Sequence, residues 1–210
     1  MAAASLLVLA TTGAASAHVT VNPNTLPGGG YAELSFRVPT ESDKASTVKL
    51  QVVFPQTEPL ALVDVKPMQG WKVSVVKVKP ATPVSDDDGP VAEVVQSVTW
   101  TADSTAAGIP PGGFNDFDIS VGPLPTAGTM EFKALQSYSD GSIVRWIEDT
   151  KPGQPEPDNP APVLTLTSGS VAMTPSSTST DTADWALGLS IAALVVGAGG
   201  AGLALTRRKV

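Results

Sequence analysis

The feature that most constrains the fold is an alternation of apolar and polar residues in short segments separated by Pro, Gly and Asp. In "YAELSFRV", residues 31–38, every second side chain is apolar, namely Ala32, Leu34, Phe36 and Val38. Because successive side chains of a strand point to opposite faces, this pattern predicts a strand with one buried face. Similar segments rich in Val, Ile, Phe and Thr follow at residues 47–54, 60–66, 71–78, 91–101, 114–121, 129–139 and 142–148.

Eight or nine such strands, with no convincing amphipathic helix between them, predict an all-β domain. "SDG" at 139–141 is a hairpin signal between two of the strands. The regular punctuation favours an antiparallel β-sandwich of immunoglobulin or cupredoxin type. We expect Trp71 and Trp100 to fill its core. The chain contains no cysteine, so this core must be stable by packing alone, without disulfides.

An apolar run near the start of the chain has the pattern of a secretory signal peptide. "SLLVLA", residues 5–10, leads to the triplet Ala-Ser-Ala at 15–17, which matches a cleavage site with small residues, although no basic residue precedes the run. We therefore expect residues 1–17 to be removed. His18 then becomes the first residue of the mature protein.

A second apolar run, "WALGLSIAALVVGAGGAGLAL", begins at Trp185 and contains no charged residue. Its length matches the roughly 20 residues with which a helix crosses about 30 Å of hydrocarbon. The basic tail "RRKV" at 207–210 is typical of the cytoplasmic side. The sequence thus predicts a C-terminal transmembrane helix at 185–206. The protein would be held in the cell membrane by this single span, with its folded part outside the cytoplasm.

The composition changes after residue 150. Residues 151–162 are rich in proline, and residues 176–184 are Ser, Thr, Asp and Ala only, which is typical of an extended tether. Between them, "VLTLT" has the composition of a last strand ending at residue 167. We therefore expect a folded domain at 18–150, with room for a last strand up to 167, and a linker at 151–184.

The charge distribution excludes some classes of function. All 20 Asp and Glu residues lie within residues 18–184, together with only 10 of the 13 Lys and Arg residues. Such an acidic surface repels nucleic acid, so we expect no nucleic-acid partner. A Ser-His-Asp triad would have to use a histidine at the signal junction, and a cysteine nucleophile is absent. We expect the protein not to be an enzyme.

His18 is the only histidine of the chain. Inside a chain, one histidine makes a poor metal site, because stable sites need several ligands. As a mature N-terminus it offers two nitrogens, the α-amine and the ring Nδ1, and both can lose a proton to a metal near neutral pH. Two nitrogen donors suit Cu(II), which also heads the affinity order of divalent metals. The alternative interpretation is that His18 merely flanks the cleavage site.

A third ligand would be an oxygen donor near the first strand. Glu33 lies on the polar face of the strand predicted at 31–38, which returns after the Pro/Gly turn at 27–30. Glu41, in "VPTESD", is the other nearby acid, but a charge at a strand end is its simpler interpretation. The residues alone leave the choice between the two open.

Several short motifs occur together: "HVTV" after an Ala-x-Ala site, "FRVPTE", "GW" at 70–71, "FDISVGPLP" at 117–125 and "YSDGSIVRW" at 138–146. In this combination the chain resembles the YcnI-like family of copper-binding proteins. The resemblance implies a monohistidine brace for Cu(II), in which the N-terminal His binds through amine and ring, together with a Glu and a nearby Trp. Carried over to this chain, the three metal-site residues are His18, Glu33 and Trp146.

The resemblance implies an exported, membrane-anchored Cu(II)-binding protein. It would act as a metallochaperone that captures copper and passes it to a membrane copper transporter or a cuproenzyme. A copper-dependent oxidase is a second hypothesis, but polysaccharide-cleaving enzymes with an N-terminal histidine brace use a second His that this chain lacks. A third hypothesis is a metal-free, immunoglobulin-like interaction module, whose melting temperature would not respond to metal.

Overall fold

The computed structural model describes residues 18–151 and 153–169, which form fourteen short strands and one 3-10 turn at Thr105–Ala107. No α-helix occurs in these residues, so the prediction of an all-β domain is confirmed. In chain order the strands are β1 (Thr20–Asn22), β2 (Thr25–Pro27), β3 (Ala32–Pro39), β4 (Thr47–Val53), β5 (Leu62–Val65), β6 (Trp71–Val78), β7 (Ser85–Asp86), β8 (Gly89–Pro90), β9 (Val94–Ala102), β10 (Phe114–Gly122), β11 (Gly128–Glu131), β12 (Lys133–Tyr138), β13 (Ile143–Trp146) and β14 (Val163–Thr167).

Two antiparallel sheets form a sandwich. One has four strands in the order β1-β3-β10-β5, and the other has five in the order β13-β12-β4-β9-β6. A smaller sheet, β11-β14-β2, and the β7-β8 hairpin complete the described part of the chain. The predicted antiparallel pairing is confirmed for both main sheets, whereas β14 and β2 pair in parallel.

Aromatic side chains from both main sheets meet in the core. The ring of Phe117 in β10 lies 5.1 Å from that of Trp71 in β6 and 5.4 Å from that of Trp100 in β9. Phe36 in β3 contacts Phe132 edge-on at 5.3 Å. All five side chains are buried, and aromatic side chains each remove about 150–250 Å² from water. The expectation that Trp71 and Trp100 fill the core is confirmed.

The strands with the clearest alternation begin and end close to their predicted limits, as β6 does at Trp71 and Val78. The strand predicted at 129–139 is instead divided at Phe132, where the chain passes from the small sheet to the five-stranded sheet. Phe132 is fully buried, and its N–H donates to the carbonyl of Pro162. Phe132 continues the alternation of buried residues across the division, between Met130 and Ala134.

The proline-rich segment after residue 150, predicted as the start of a linker, is packed against the domain from residue 159 onward. Pro160 and Ala161 are buried, and the N–H of Ala161 donates to the carbonyl of Glu148 at 3.0 Å. β14 then inserts between β11 and β2, with Leu164 fully buried. Composition alone does not reveal this packing, because it depends on two strands that leave room for a third between them.

The predicted signal peptide at 1–17 and transmembrane helix at 185–206 lie outside the described residues, as does the tail at 207–210. Within residues 18–151 and 153–169, no helix is long and apolar enough to cross a membrane.

Candidate metal site beside the first strand

The residues after His18 alternate between buried and exposed, and this burial fixes the position of His18. In "HVTVN", Val19 and Val21 are each only 2% exposed and belong to the core. β1 pairs with β3, so that Thr20 lies opposite Arg37. His18 therefore lies at the edge of the four-stranded sheet, where its side chain is 21% exposed.

A second segment approaches His18 from the far end of the domain. Nδ1 of His18 lies 3.4 Å from Oε1 of Glu156, whose side chain is 62% exposed. Glu156 belongs to a loop that we call the strap, residues 153–162. The strap is anchored where Oε2 of Glu148 accepts a hydrogen bond from the N–H of Asn159 at 2.6 Å. The anchor brings a carboxylate to the ring nitrogen that a histidine brace would use.

Trp146 lies next to His18. Its ring centroid is 5.5 Å from that of His18, with the two planes tilted by 56°. The side chain is 0% exposed and belongs to the hydrophobic core. Trp146 is therefore a core residue that also lies next to the ring of His18.

Behind Trp146, polar groups form a buried chain of hydrogen bonds. The indole Nε1–H donates to Oε1 of Gln136 at 3.0 Å. Nε2 of Gln136 donates to the carbonyl of Pro39 and to Oγ1 of Thr47, both at 2.7 Å. Thr47 shares a 2.8 Å hydrogen bond with Thr40. Buried polar groups are costly unless they are paired, so this chain fixes the position of the indole.

The structure does not bring Glu33 to His18. The β1–β3 register places His18 near the end of β3 that is marked by Pro39. Six strand residues at about 3.3 Å each separate that end from Glu33, a distance of about 20 Å. The Glu33 carboxylate lies instead 3.7 Å from Nζ of Lys66. Sequence reasoning cannot exclude Glu33, because local pattern does not fix which end of β3 meets His18.

Lys66 makes a closer ion pair with Asp118 of β10, at 2.8 Å. The hydrogen bond from Lys66 lowers the pKa of Asp118 below its ordinary value of 3.8. The same interaction raises the pKa of Lys66 above its ordinary value of 10.5. Glu33 thus belongs to a surface charge cluster on the outer face of the sheet.

Glu41, the alternative ligand, lies next to the phenol of Tyr138. The pKa of Tyr138 is raised above 10.0, mainly by burial, and the negative charge of Glu41 adds to the effect. Glu41 is thus a charged residue near the end of β3, as its position in "VPTESD" suggests.

The His18 site opens into a cleft of about 460 Å³. One wall is formed by residues 18–22 and Asn24, and the other by Thr150, Glu156 and residues 160–163. In the described part of the chain, no three side chains of His, Asp, Glu or Cys converge on one point. The ionisable side chains at this cleft are thus a pair, His18 and Glu156.

Glu156 and Gln136 are the site residues that the sequence does not reveal. Glu156 lies in "PEPD", within a segment whose composition predicts a tether. Gln136 occupies a core-facing position of β12, where a polar residue interrupts an otherwise apolar face. A buried polar residue in a strand pattern is the one local signal that could have drawn attention to Gln136.

Comparison with known proteins extends these observations. Residues 18–166 match a protein-family model described as "Domain of unknown function (DUF1775)", so the match includes the strap and most of β14. The chain is 32% identical over 157 residues to the copper-binding protein CutI of Bacillus subtilis (strain 168). That similarity covers 75% of this chain and 66% of CutI, so the chain spans just under two thirds of the relative's length.

A solved structure supports the fold. An uncharacterized protein from Nocardia farcinica, whose crystal structure reveals an immunoglobulin-like fold, is 41% identical with a TM-score of 0.58. The likeness covers 72% of this chain and 99% of that protein, and it favours the immunoglobulin-like over the cupredoxin-like form of the sandwich. Since the family match covers most of the chain, the protein belongs to the DUF1775 family, and its resemblance to YcnI-like proteins is confirmed.

Proposed function

We propose that the protein binds Cu(II) outside the cytoplasm through a monohistidine brace at His18. The observation that carries this proposal is the approach of the Glu156 carboxylate to Nδ1 of His18 at 3.4 Å, where the His18 ring lies 5.5 Å from the buried ring of Trp146. The copper-binding relative CutI supports the choice of metal.

The donor set has the chemistry that Cu(II) prefers. After cleavage behind Ala17, the α-amine and Nδ1 of His18 supply two nitrogens, and Glu156 supplies an anionic oxygen. Binding to Nδ1 needs the neutral imidazole, so metal uptake releases protons and weakens at acidic pH. Trp146 closes one side of the site with an apolar surface.

In this proposal Glu156 takes the role that the sequence suggested for Glu33. The reason is distance, because the Glu33 carboxylate is paired with Lys66 on another part of the surface. The exposure of Glu156 also suits a site that releases its metal. A ligand on an exposed loop can detach from the metal when a partner protein binds the ion.

The role that fits such a site is copper capture and delivery. We propose that a C-terminal helix at 185–206 anchors the protein in the cell membrane, with the domain on the extracytoplasmic side. A membrane copper transporter or a cuproenzyme would receive the ion. Catalysis is not part of the proposal, because the chain has no second histidine to complete the brace used by oxidative enzymes.

The test compares two ectodomains, both ending at residue 184. One begins at His18, and the other keeps residues 14–17 ahead of it, so that the α-amine is moved away from the ring. Electron paramagnetic resonance (EPR) with one equivalent of Cu(II) reports the nitrogen ligands, and competition with a chelator reports the affinity. We expect a tight two-nitrogen signal from the first protein alone.

Equal Cu(II) affinity and equal spectra for the two ectodomains would refute the brace. Binding by neither would favour the metal-free interaction module that the immunoglobulin-like fold also allows. Ascorbate oxidation by the copper-loaded protein at catalytic rates would favour the oxidase instead.

A further inference from the structure

The hydrogen bonds of Gln136 determine which way its amide is oriented. The carbonyl of Pro39 can only accept a hydrogen bond, so the group that faces it must be the NH₂ of Gln136. The same NH₂ donates to Thr47. Both amide hydrogens are then used, and Oε1 is left facing Trp146.

The orientation of the Gln136 amide also determines which atoms of the indole can face His18. The only hydrogen-bond donor of a tryptophan side chain is its Nε1–H. In this structure that N–H is directed to Oε1 of Gln136, which is itself buried. The ring therefore meets His18 with its carbon atoms, with the two planes tilted by 56°. An N–H at that place would repel a cation, whereas the face of an indole attracts one.

We infer that Gln136 is a positioning residue for the metal site: it holds Trp146 so that the indole turns its carbon atoms, and not its N–H, toward a cation bound at His18. The role toward a cation rests on the function proposed above. The positioning of the ring does not, and it can be measured without metal.

Thr47 connects the Gln136 amide to the rest of the hydrogen-bond chain. Thr47 accepts from Gln136 and shares a hydrogen bond with Thr40, which donates to the carbonyl of Ile109 at 3.1 Å. All these groups are buried, so a rotation of the Gln136 amide would leave several of them unpaired at once. The structure shows no hydrogen bond between Thr40 and the indole, so Thr40 is a matched control that belongs to the same hydrogen-bond chain but lies at its far end.

The first experiment records NMR spectra of the metal-free mature chain, residues 18–210, in detergent micelles. In wild-type protein, the indole N–H signal of Trp146 should be protected from solvent exchange, and the ring protons of His18 should be shifted by the indole ring current. Gln136→Met should expose the N–H to exchange and remove the shift at His18. Thr40→Val, which also removes a buried hydrogen bond, should leave both signals in place.

The second experiment measures Cu(II) affinity. Removal of groups that orient a metal site typically lowers affinity by about 10–100-fold, and we expect a loss in this range for Gln136→Met. In the background of Trp146→Phe, which has no N–H to orient, Gln136→Met should cause no further loss. Gln136→Glu, which burial keeps protonated, retains an acceptor for the indole and an O–H for the carbonyl of Pro39, and it should retain the Trp146 signal and most of the affinity even if Gln136→Met folds poorly.

The outcomes separate this inference from the proposed function. Unchanged Trp146 and His18 signals in Gln136→Met, or equal changes in Thr40→Val, would overturn the positioning role. Equal affinity losses from Gln136→Met with and without Trp146→Phe would overturn the link through the indole. If wild-type protein binds no Cu(II), the proposed function and the cation-facing role fail. The Trp146 and His18 signals of the metal-free protein then still test whether Gln136 positions the indole ring.

Discussion

At the scale of single residues, the site depends on side chains from opposite ends of the domain. His18 stands at the start of the folded part, and Glu156 lies in the strap shortly before the last strand. His18 lies 3.4 Å from Glu156 and, ring to ring, 5.5 Å from Trp146, which the hairpin of β12 and β13 supplies. The proposed site therefore depends on the proximity of residues that are far apart in the sequence.

Glu156→Gln should weaken Cu(II) binding by about 10-fold or more, because an amide replaces the anionic oxygen donor. Glu33→Gln is the matched control, since it makes the same change on an exposed carboxylate paired with Lys66. Chelator competition on both variants measures the difference. A loss in Glu33→Gln with none in Glu156→Gln would restore the ligand set that the sequence suggested.

The ion pair between Asp118 and Lys66 should make stability depend on pH. Because the folded-state pKa of Asp118 is below 3.8, its stabilisation is present above 3.8 and is lost as pH falls through the folded-state value. Asp118→Asn should therefore be less stable than wild type at neutral pH, and the difference should shrink in acid. Urea unfolding at a series of pH values measures this. Lys66→Met should reduce the same pH dependence, and a pH-independent difference would contradict the assignment.

At the scale of secondary-structure elements, β14 connects the strap to the core. The strand pairs with β11 on one side and with β2 on the other, and its residues alternate between buried and exposed. Asn24, one residue before β2, accepts a hydrogen bond from the N–H of Thr165 at 2.8 Å. β14 therefore fixes the end of the strap next to the segment that carries His18.

Leu164→Ala should destabilise the domain by about 2–5 kcal/mol, because it opens a cavity at a fully buried position of β14. The neighbouring Thr165 is exposed, and Thr165→Ala should change stability by no more than about 0.5 kcal/mol. Chemical denaturation of both variants measures the two values. Equally small effects would mean that residues 163–167 behave as a linker and do not belong to the core.

At the scale of the whole molecule, metal binding and stability should be linked. The core of the described domain is packed without disulfides, and the site connects both ends of that domain. A ligand that binds only the folded protein must stabilise it, by an amount set by the ligand concentration relative to the dissociation constant.

Free Cu(II) at about 100 times its dissociation constant should therefore add about 2.7 kcal/mol to the stability of the ectodomain that begins at His18. For a domain of this size, that corresponds to a rise in Tm of roughly 5–10 °C. The ectodomain that keeps residues 14–17 is the control and should show a much smaller shift. Calorimetry with and without Cu(II) measures both, and equal shifts would show that the free N-terminus is not part of the site.

Local sequence pattern predicted most of the fold. Alternation placed Leu34, Phe36 and Val38 on a buried face and gave the limits of the longer strands, because side-chain direction in a strand depends only on the period of the backbone. β1 and β2 were missed, since three residues are too few for a recognisable period. The pattern predicts one continuous strand through Phe132, because the change of sheet at this residue depends on distant partners.

Local pattern was enough to predict an all-β domain and to single out His18 and Trp146, through the cleavage pattern and the motif in which each lies. The proximity of Glu156, and not Glu33, to His18 and the hydrogen bond from Trp146 to Gln136 are seen only in the folded domain. The physical reason is that strand order and register determine which side chains meet across the sandwich. These depend on the packing of the whole domain, whereas the pattern within one strand determines only which face each residue occupies.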